Sequence, residues 1–513
     1  MSKSSITIDP VTRIEGHLAV HVEQEDGRVT EARCSGTLFR GLELVFGGRD
    51  PRDIPIFSQR ICGVCPQAHA TASATAMDEA FGVADQIPPN GQLLRNVMLG
   101  ANYAQSHVLH FYHLAALDYV DVTAVADYDG TDPDLLSVKD FIARGQLGPF
   151  VPRYEGDYRL SAEGNVAAVK HYLRALDVRK NAHELGALFG GKMPHQCTVN
   201  VGGVGTQVTP DKILRAISYV ESIEEFIDEC YIPDILLVAG AYPDYFGIGA
   251  GCSRFLSYGG CPADGQELFT SGVVEMGGKP EEVDRDSISE HVTSSYYAND
   301  CAGATPFQST TAPQRDKDGA YSWLKSPRYK DQPCEVGPLA RTMVSYVQDN
   351  PLVKPAVDGL LKQTGLQAGQ LNSVLGRHAA RALETKLVVA AMKTWIMALR
   401  PGEDCMLAVE VPQSGQGRGL GEAPRGSLGH WARIEDGKVA NYQAVVPTTW
   451  NAGPRDSNGQ PGPIEQAIEN ENIKDADNPF EVVRIIRSFD PCLACAVHVQ
   501  RPKGELRVDL PVF

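Results

Sequence analysis

RICGVCPQAH at 60–69 and FDPCLACAVH at 489–498 hold two Cys-x-x-Cys pairs, Cys62/Cys65 and Cys492/Cys495, at opposite ends of the chain. Each pair turns two sulfurs toward one point. Together they offer one metal site four thiolates, a donor set that suits zinc, iron–sulfur clusters or nickel. Zinc ribbons hold their pairs about 15 to 20 residues apart, whereas here nearly the whole sequence lies between them. Each pair also carries polar residues that a structural knuckle does not need: Arg60 and His69 around the first, Asp490 and His498 around the second. That dressing points to catalysis, with a zinc-stapled scaffold as the competing reading.

A site built from both ends obliges the chain to return on itself. Length alone suggests about three domains for 513 residues, but this closure favours one large interlocked domain. Hydrophobic residues at 43% and charged residues at 22% suit a globular chain with a generous core. A net charge of -17 repels phosphate backbones and anionic lipid surfaces, which argues against a nucleic-acid role. There is no run of 18 apolar residues, and residues 1–9 lack a basic and an apolar signal region, so no anchor or export signal is expected on this chain. The eight cysteines outside the two pairs lack the tight spacing of a ferredoxin-type cluster and read as small buried hydrophobes.

The scaffold reads as α+β and mainly helical, a central bundle of long helices with small peripheral sheets. Alternating polar and apolar residues at 6–8, 17–23 and 28–33, with Asp26-Gly27 as a turn, predict a small N-terminal sheet. A helix is expected to leave the first Cys pair over 68–81. Four long helices are expected over 91–117, 162–188, 210–231 and 376–397. The Gly- and Pro-rich stretches 242–278 and 301–330 read as loops or short strands. Strand-like runs return at 431–434, 440–446 and 505–508.

The two cysteine motifs resemble the signatures RxCGxCxxxH and DPCxxCxxH of the large subunit of nickel-iron hydrogenases. Further similarity is spread along the chain: DPVTRIEGH at 9–17, FRGLE at 39–43, FYHLAALD at 111–118, EVGPLAR at 335–341, APRGSLGHW at 423–431 and VVPTTWN at 445–451. The resemblance implies reversible heterolytic cleavage of dihydrogen, most often in the uptake direction, with a dihydrogen sensor of the same architecture as the alternative. It implies a nickel-iron centre, with Cys62 and Cys492 terminal on nickel and Cys65 and Cys495 bridging to an iron that carries carbon monoxide and cyanide.

Around that centre the resemblance assigns Cys492 and Glu15 to proton transfer and Arg425 to a guanidinium over the metals. Pro424 and Asp490 would frame that guanidinium, Thr448 would donate to a cyanide and His69 to a bridging cysteine. Without it, Glu15 would read as an exposed strand residue, Arg425 as a surface arginine and His69 as a core histidine. One departure is Ser106, where many relatives carry an aspartate. His107, His110 and His113 recur every three residues, a spacing better explained by packing than by a second metal. Val64 and Leu114 match narrow positions of a gas tunnel.

A second cation, magnesium or iron, is implied at Glu43, the Ala444 carbonyl and His498. The implied unit is 1–498, with 499–513 removed on maturation by a protease that acts after nickel-insertion proteins. Electron exit implies an iron-sulfur small subunit, with no iron-sulfur cluster in this chain. The pair would form a heterodimer or a dimer of heterodimers. Export would ride on that subunit, giving a periplasmic or membrane-associated enzyme, with a cytoplasmic one as the alternative.

Overall fold

A computed structural model describes residues 3–263, 266–302 and 305–496. The N-terminal sheet forms as expected: β1 (Lys3–Ile8), β2 (Leu18–Glu25) and β3 (Arg28–Gly36) run antiparallel in that order. Val20 and Val22 point inward from β2 while Glu23 and Glu25 face outward, the alternation that made the strands readable.

Helix α1 (Pro66–Ala80) leaves the first cysteine pair, with Pro66 at its first position, where a missing N–H costs nothing. The bundle comprises α2 (Pro89–Val108), α3 (Ala162–Gly190), α4 (Pro210–Phe226) and α5 (Val374–Ala398). In it α2 packs on α3, α3 on α4, α4 on α5, and α5 back on α2. The expected helix over 91–117 is continuous only to Val108; it then widens into a π-helical stretch, Leu109–Ala115. The expected 210–231 helix likewise passes into π-helix at Ile227–Tyr231. Hydrophobic period alone does not register such a widening.

The stretch 242–278 corrects the sequence reading. It contains a hairpin of two ten-residue strands, β4 (Arg254–Ala263) and β5 (Gln266–Glu275). Gly259, Gly260, Pro262 and Gly272 within these strands masked the pattern, and packing against the helix Pro338–Val347 supplies what propensity lacks. A C-terminal sheet follows: β6 (Ser414–Ala423), β7 (Gly426–Glu435) and β8 (Lys438–Val445). The strand expected over 505–508 lies outside the described residues. So do His498 and the segment 499–513.

Strand β6 lies directly on α1. Gly415, Gly417 and Gly419 face the backbones of Ala80, Ala76 and Ala72, and a Cβ at any of the three would collide with a helix carbonyl oxygen. A period-two glycine row thus meets a period-four alanine row, and the two backbones touch. This contact sets the height of α1 over the C-terminal sheet, and with it the position of the first cysteine pair.

One continuous apolar core runs from Val11 to Ala496. No helix among the described residues is long and apolar enough to cross a membrane. Seven of the eight remaining cysteines are buried as expected; Cys197 is exposed, which corrects its reading as a buried hydrophobe.

Candidate metal centre

The Sγ atoms of Cys62, Cys65, Cys492 and Cys495 all lie within 4.8 Å of one another, and all four residues are buried. Neighbouring sulfurs approach closely: Cys62 to Cys492 is 3.3 Å, Cys65 to Cys495 is 3.2 Å and Cys492 to Cys495 is 3.0 Å. Four free thiols converging this closely make a site that could hold a metal ion. Burial pushes the Cys492 and Cys495 thiols well above the usual thiol range, so a metal entering here releases protons.

The first pair is shaped by its own turn: the backbone N–H groups of Val64 and Cys65 both donate to Cys62 Sγ at 3.3 Å. Cys65 is the N-cap residue of α1, though its side chain makes no capping hydrogen bond. The second pair opens the short helix Leu493–Ala496. There the Cys492 N–H donates to Thr448 Oγ1 at 2.8 Å. Thr448 therefore accepts through its oxygen and keeps its hydroxyl proton for a further acceptor.

The two ends of the chain meet through backbone pairing. Glu15 and Cys492 form a parallel bridge, and Leu493 N–H donates to the Glu15 carbonyl at 2.8 Å. Gly16, at φ +82°, permits this approach: a Cβ there would lie 2.7 Å from Leu493 Cβ. The bridge delivers the Glu15 carboxylate to the site, where Oε2 lies 3.1 Å from Cys492 Sγ and accepts the Ala494 N–H at 2.8 Å. Burial raises the Glu15 pKa, and the neighbouring Cys62 charge adds to the effect. The exposed-strand alternative for Glu15 does not hold.

Nor is Arg425 a surface arginine; it is 2% exposed. Its Nε donates to the Asp490 carbonyl at 3.1 Å, and Nη2 lies 3.1 Å from Asp490 Oδ1. The latter is an ion pair by distance without hydrogen-bond alignment, so neither terminal nitrogen has a hydrogen-bond partner among the described residues. Asp490 adopts φ +55°, which turns the chain into the second cysteine pair. Ser106 is fully buried and its Oγ also has no partner among the described residues. The unsatisfied Arg425 donors, which feel the charge of Cys492, Cys65 and Cys62, fit a bound group that carries its own acceptors.

His69 Nε2 lies 3.4 Å from Cys495 Sγ. By contrast, His107, His110 and His113 diverge to Glu384, the Arg487 carbonyl and the Tyr172 carbonyl. Their spacing serves packing and hydrogen bonding. Val64 and Leu114 are half-buried, and the Val64 carbonyl accepts from Asn102 and Gln105. Glu43 is buried, with Oε1 accepting the Ala444 N–H at 2.9 Å and Oε2 taking the Thr311 hydroxyl. Lys325 lies close by, bonded to Glu290 and Gln443.

Sequence reasoning did not find three residues that hold the site together, although each stands in or beside a quoted motif. Arg40 clamps the two cysteine loops, donating to the carbonyls of Ile61 at 2.6 Å and Ala494 at 3.1 Å and to that of Arg60. Arg341 donates to the carbonyls of Ala423 and Pro424, at 2.9 Å and 2.8 Å, and so fixes the backbone that carries Arg425. Asp118 receives Arg13 at 2.5 Å and Arg487 at 2.6 Å, which ties the segment bearing Glu15 to the helix that leads into Asp490. The signal was a charged residue standing within each motif beside apolar neighbours.

Comparison with known proteins agrees with this geometry. A family model described as nickel-dependent hydrogenase matches residues 40–498, and one described as HoxL-like matches 5–35. The periplasmic [NiFeSe] hydrogenase large subunit of Desulfomicrobium baculatum is 42% identical, over 97% of this chain and 95% of that protein. The uptake hydrogenase large subunit of Rhizobium leguminosarum bv. viciae is 37% identical, over 98% and 96%. The reduced Ni-Fe-Se hydrogenase of D. vulgaris Hildenborough superposes with a TM-score of 0.88 at 42% identity, covering 97% of this chain and 100% of that one.

The chain belongs to the nickel-dependent hydrogenase family. It is a catalytic large subunit, an oxidoreductase acting on hydrogen, and a small subunit is its partner. Selenium is named for the Desulfomicrobium and D. vulgaris proteins; this chain carries cysteine at all four positions.

Proposed function

We propose that the protein oxidises dihydrogen heterolytically, in the uptake direction, at a nickel-iron centre held by Cys62, Cys65, Cys492 and Cys495. One observation carries the reading: a half-buried carboxylate, Glu15, reaches one of four converging sulfurs, Cys492, at 3.1 Å. Relatives named uptake hydrogenases support the direction.

Cys62, Cys65, Cys492 and Cys495 would together hold the nickel-iron pair, whose iron would bear carbon monoxide and cyanide. When bound, the metal pair polarises dihydrogen and takes its two electrons. The protein's own part is to move the proton and hold the charge. Cys492 Sγ receives the proton and Glu15 Oε2 takes it on, a short hop to a carboxylate whose raised pKa suits relay. Arg425, positioned by Arg341 and paired with Asp490, keeps a buried, fixed positive charge beside the cysteines. Pro424 and Asp490 frame that guanidinium, Thr448 would donate to a cyanide, and His69 donates to Cys495.

A second cation, magnesium or iron, would bind at Glu43, the Ala444 carbonyl and His498. The catalytic unit is 1–498 and the segment 499–513 is removed by a maturation protease after nickel insertion; the family match ending at 498 supports that boundary. The small subunit carries iron-sulfur clusters and the export signal, giving a periplasmic or membrane-associated heterodimer that can pair again. The test is nickel and iron analysis of the purified heterodimer, an infrared spectrum in the carbonyl and cyanide region, and dihydrogen-dependent reduction of a viologen dye. Zinc in place of nickel, or no dye reduction, overturns the reading.

A further inference from the structure

Behind the bridging cysteine runs an unbroken line of buried hydrogen bonds. Cys495 Sγ meets His69 Nε2 at 3.4 Å, His69 Nδ1 meets His430 Nε2 at 3.1 Å, and His430 Nδ1 meets the Tyr442 hydroxyl at 2.5 Å. His69, His430 and Tyr442 are each no more than 1% exposed. The line crosses from α1 through β7 to β8, three elements whose heights are set by the glycine row on α1.

The direction of every bond follows from whether the Tyr442 hydroxyl gives its proton to His430 or to Ser73, the other side chain at its oxygen. A phenol keeps its proton at neutral pH, and burial pushes His430 well below its ordinary range, so that imidazole is neutral. A neutral imidazole has one donor and one acceptor. If Tyr442 donates to His430 Nδ1, then His430 bears its hydrogen on Nε2 and donates to His69 Nδ1. His69 must then bear its hydrogen on Nε2, facing Cys495. Reversal would place a nitrogen lone pair against the sulfur.

We infer that His430 and Tyr442 are positioning residues that lock the tautomer of His69, so that an N–H rather than a lone pair meets the Cys495 thiolate. This rests on the functional reading above. A hydrogen bond to a bridging thiolate withdraws electron density from the sulfur and hence from the metals, and such bonds tune the potential of thiolate-held centres.

The test is the infrared spectrum of the metal-loaded heterodimer. Tyr442→Phe removes the directing proton without changing the ring. The carbonyl band is expected to move to lower wavenumber, or to split into two tautomer populations, and the nickel midpoint potential is expected to fall. His430→Gln keeps an amide N–H for His69 Nδ1 and is expected to hold the wild-type band. An unmoved band in Tyr442→Phe, or an equal shift in His430→Gln, overturns the inference and leaves the functional reading intact. A wild-type spectrum with no carbonyl band overturns both.

Discussion

Oε2 of Glu15 takes the Ala494 N–H at 2.8 Å and also stands 3.1 Å from Cys492 Sγ. One oxygen thus serves two purposes: it holds the second cysteine loop in place and faces the sulfur that would carry a proton. Replacing Glu15 by Gln retains the shape but removes the group that can give up a proton. Glu15→Gln is expected to lower dye-linked turnover by about 10²- to 10⁴-fold, the range for a lost acid-base group, with nickel content near wild type. Parallel metal analysis and activity assays check this; unchanged turnover would exclude Glu15 from the relay.

Arg425 gives a second test. Lysine keeps the charge but not the planar fork, so it cannot reach both the Asp490 carbonyl and the centre. Arg425→Lys is expected to cost roughly 10²-fold in kcat, in the range seen when one preorganised donor is lost. KM for dihydrogen should change little. Steady-state kinetics on metal-matched samples decide it.

A third prediction concerns pH. Glu465 is fully buried, and burial raises its pKa from 4.5 to about 7 against donors from Cys34, Tyr321 and Gly462. The folded state therefore binds the Glu465 proton more tightly than the unfolded state does. The stabilisation is fully present below pH 4.5 and is lost as pH rises through about 7, on the order of 3 kcal/mol in all. Glu465→Gln should flatten the pH dependence of the urea midpoint between those values. A dependence identical to wild type would reject the assignment.

The glycine row supplies a fourth. Gly417→Ala inserts a methyl group against the Ala76 carbonyl, and neither backbone can yield alone. Such overpacking typically costs about 1–3 kcal/mol. Because α1 carries Cys65 and His69, nickel retention should fall along with the thermal midpoint. Gly421, which has open space around its Cβ, is the control: Gly421→Ala should leave both unchanged.

What could be read from sequence follows from how each feature encodes itself. Cys62, Cys65, Cys492 and Cys495 announce their chemistry by spacing, and Glu15, His69 and Arg425 by the motifs around them. The long helices declare themselves by period. Arg40, Arg341 and Asp118 were legible only as motif letters, because their partners lie in other motifs and no local pattern links them. The β4–β5 hairpin read as loops or short strands because glycine usually marks a turn; in β6, which the sequence reading did not place, glycine marks two backbones in contact. Both are properties of packing, which a single sequence states only indirectly.

The pairing of Glu15 with Cys492 spans 477 positions. During synthesis the N-terminal half leaves the ribosome well before its counterpart exists, and contacts this distant in sequence are the slow ones to form. Until translation is almost finished the first two thiolates have no companions. The order of assembly is thereby fixed: the polypeptide must be complete before the vessel for its metals can close.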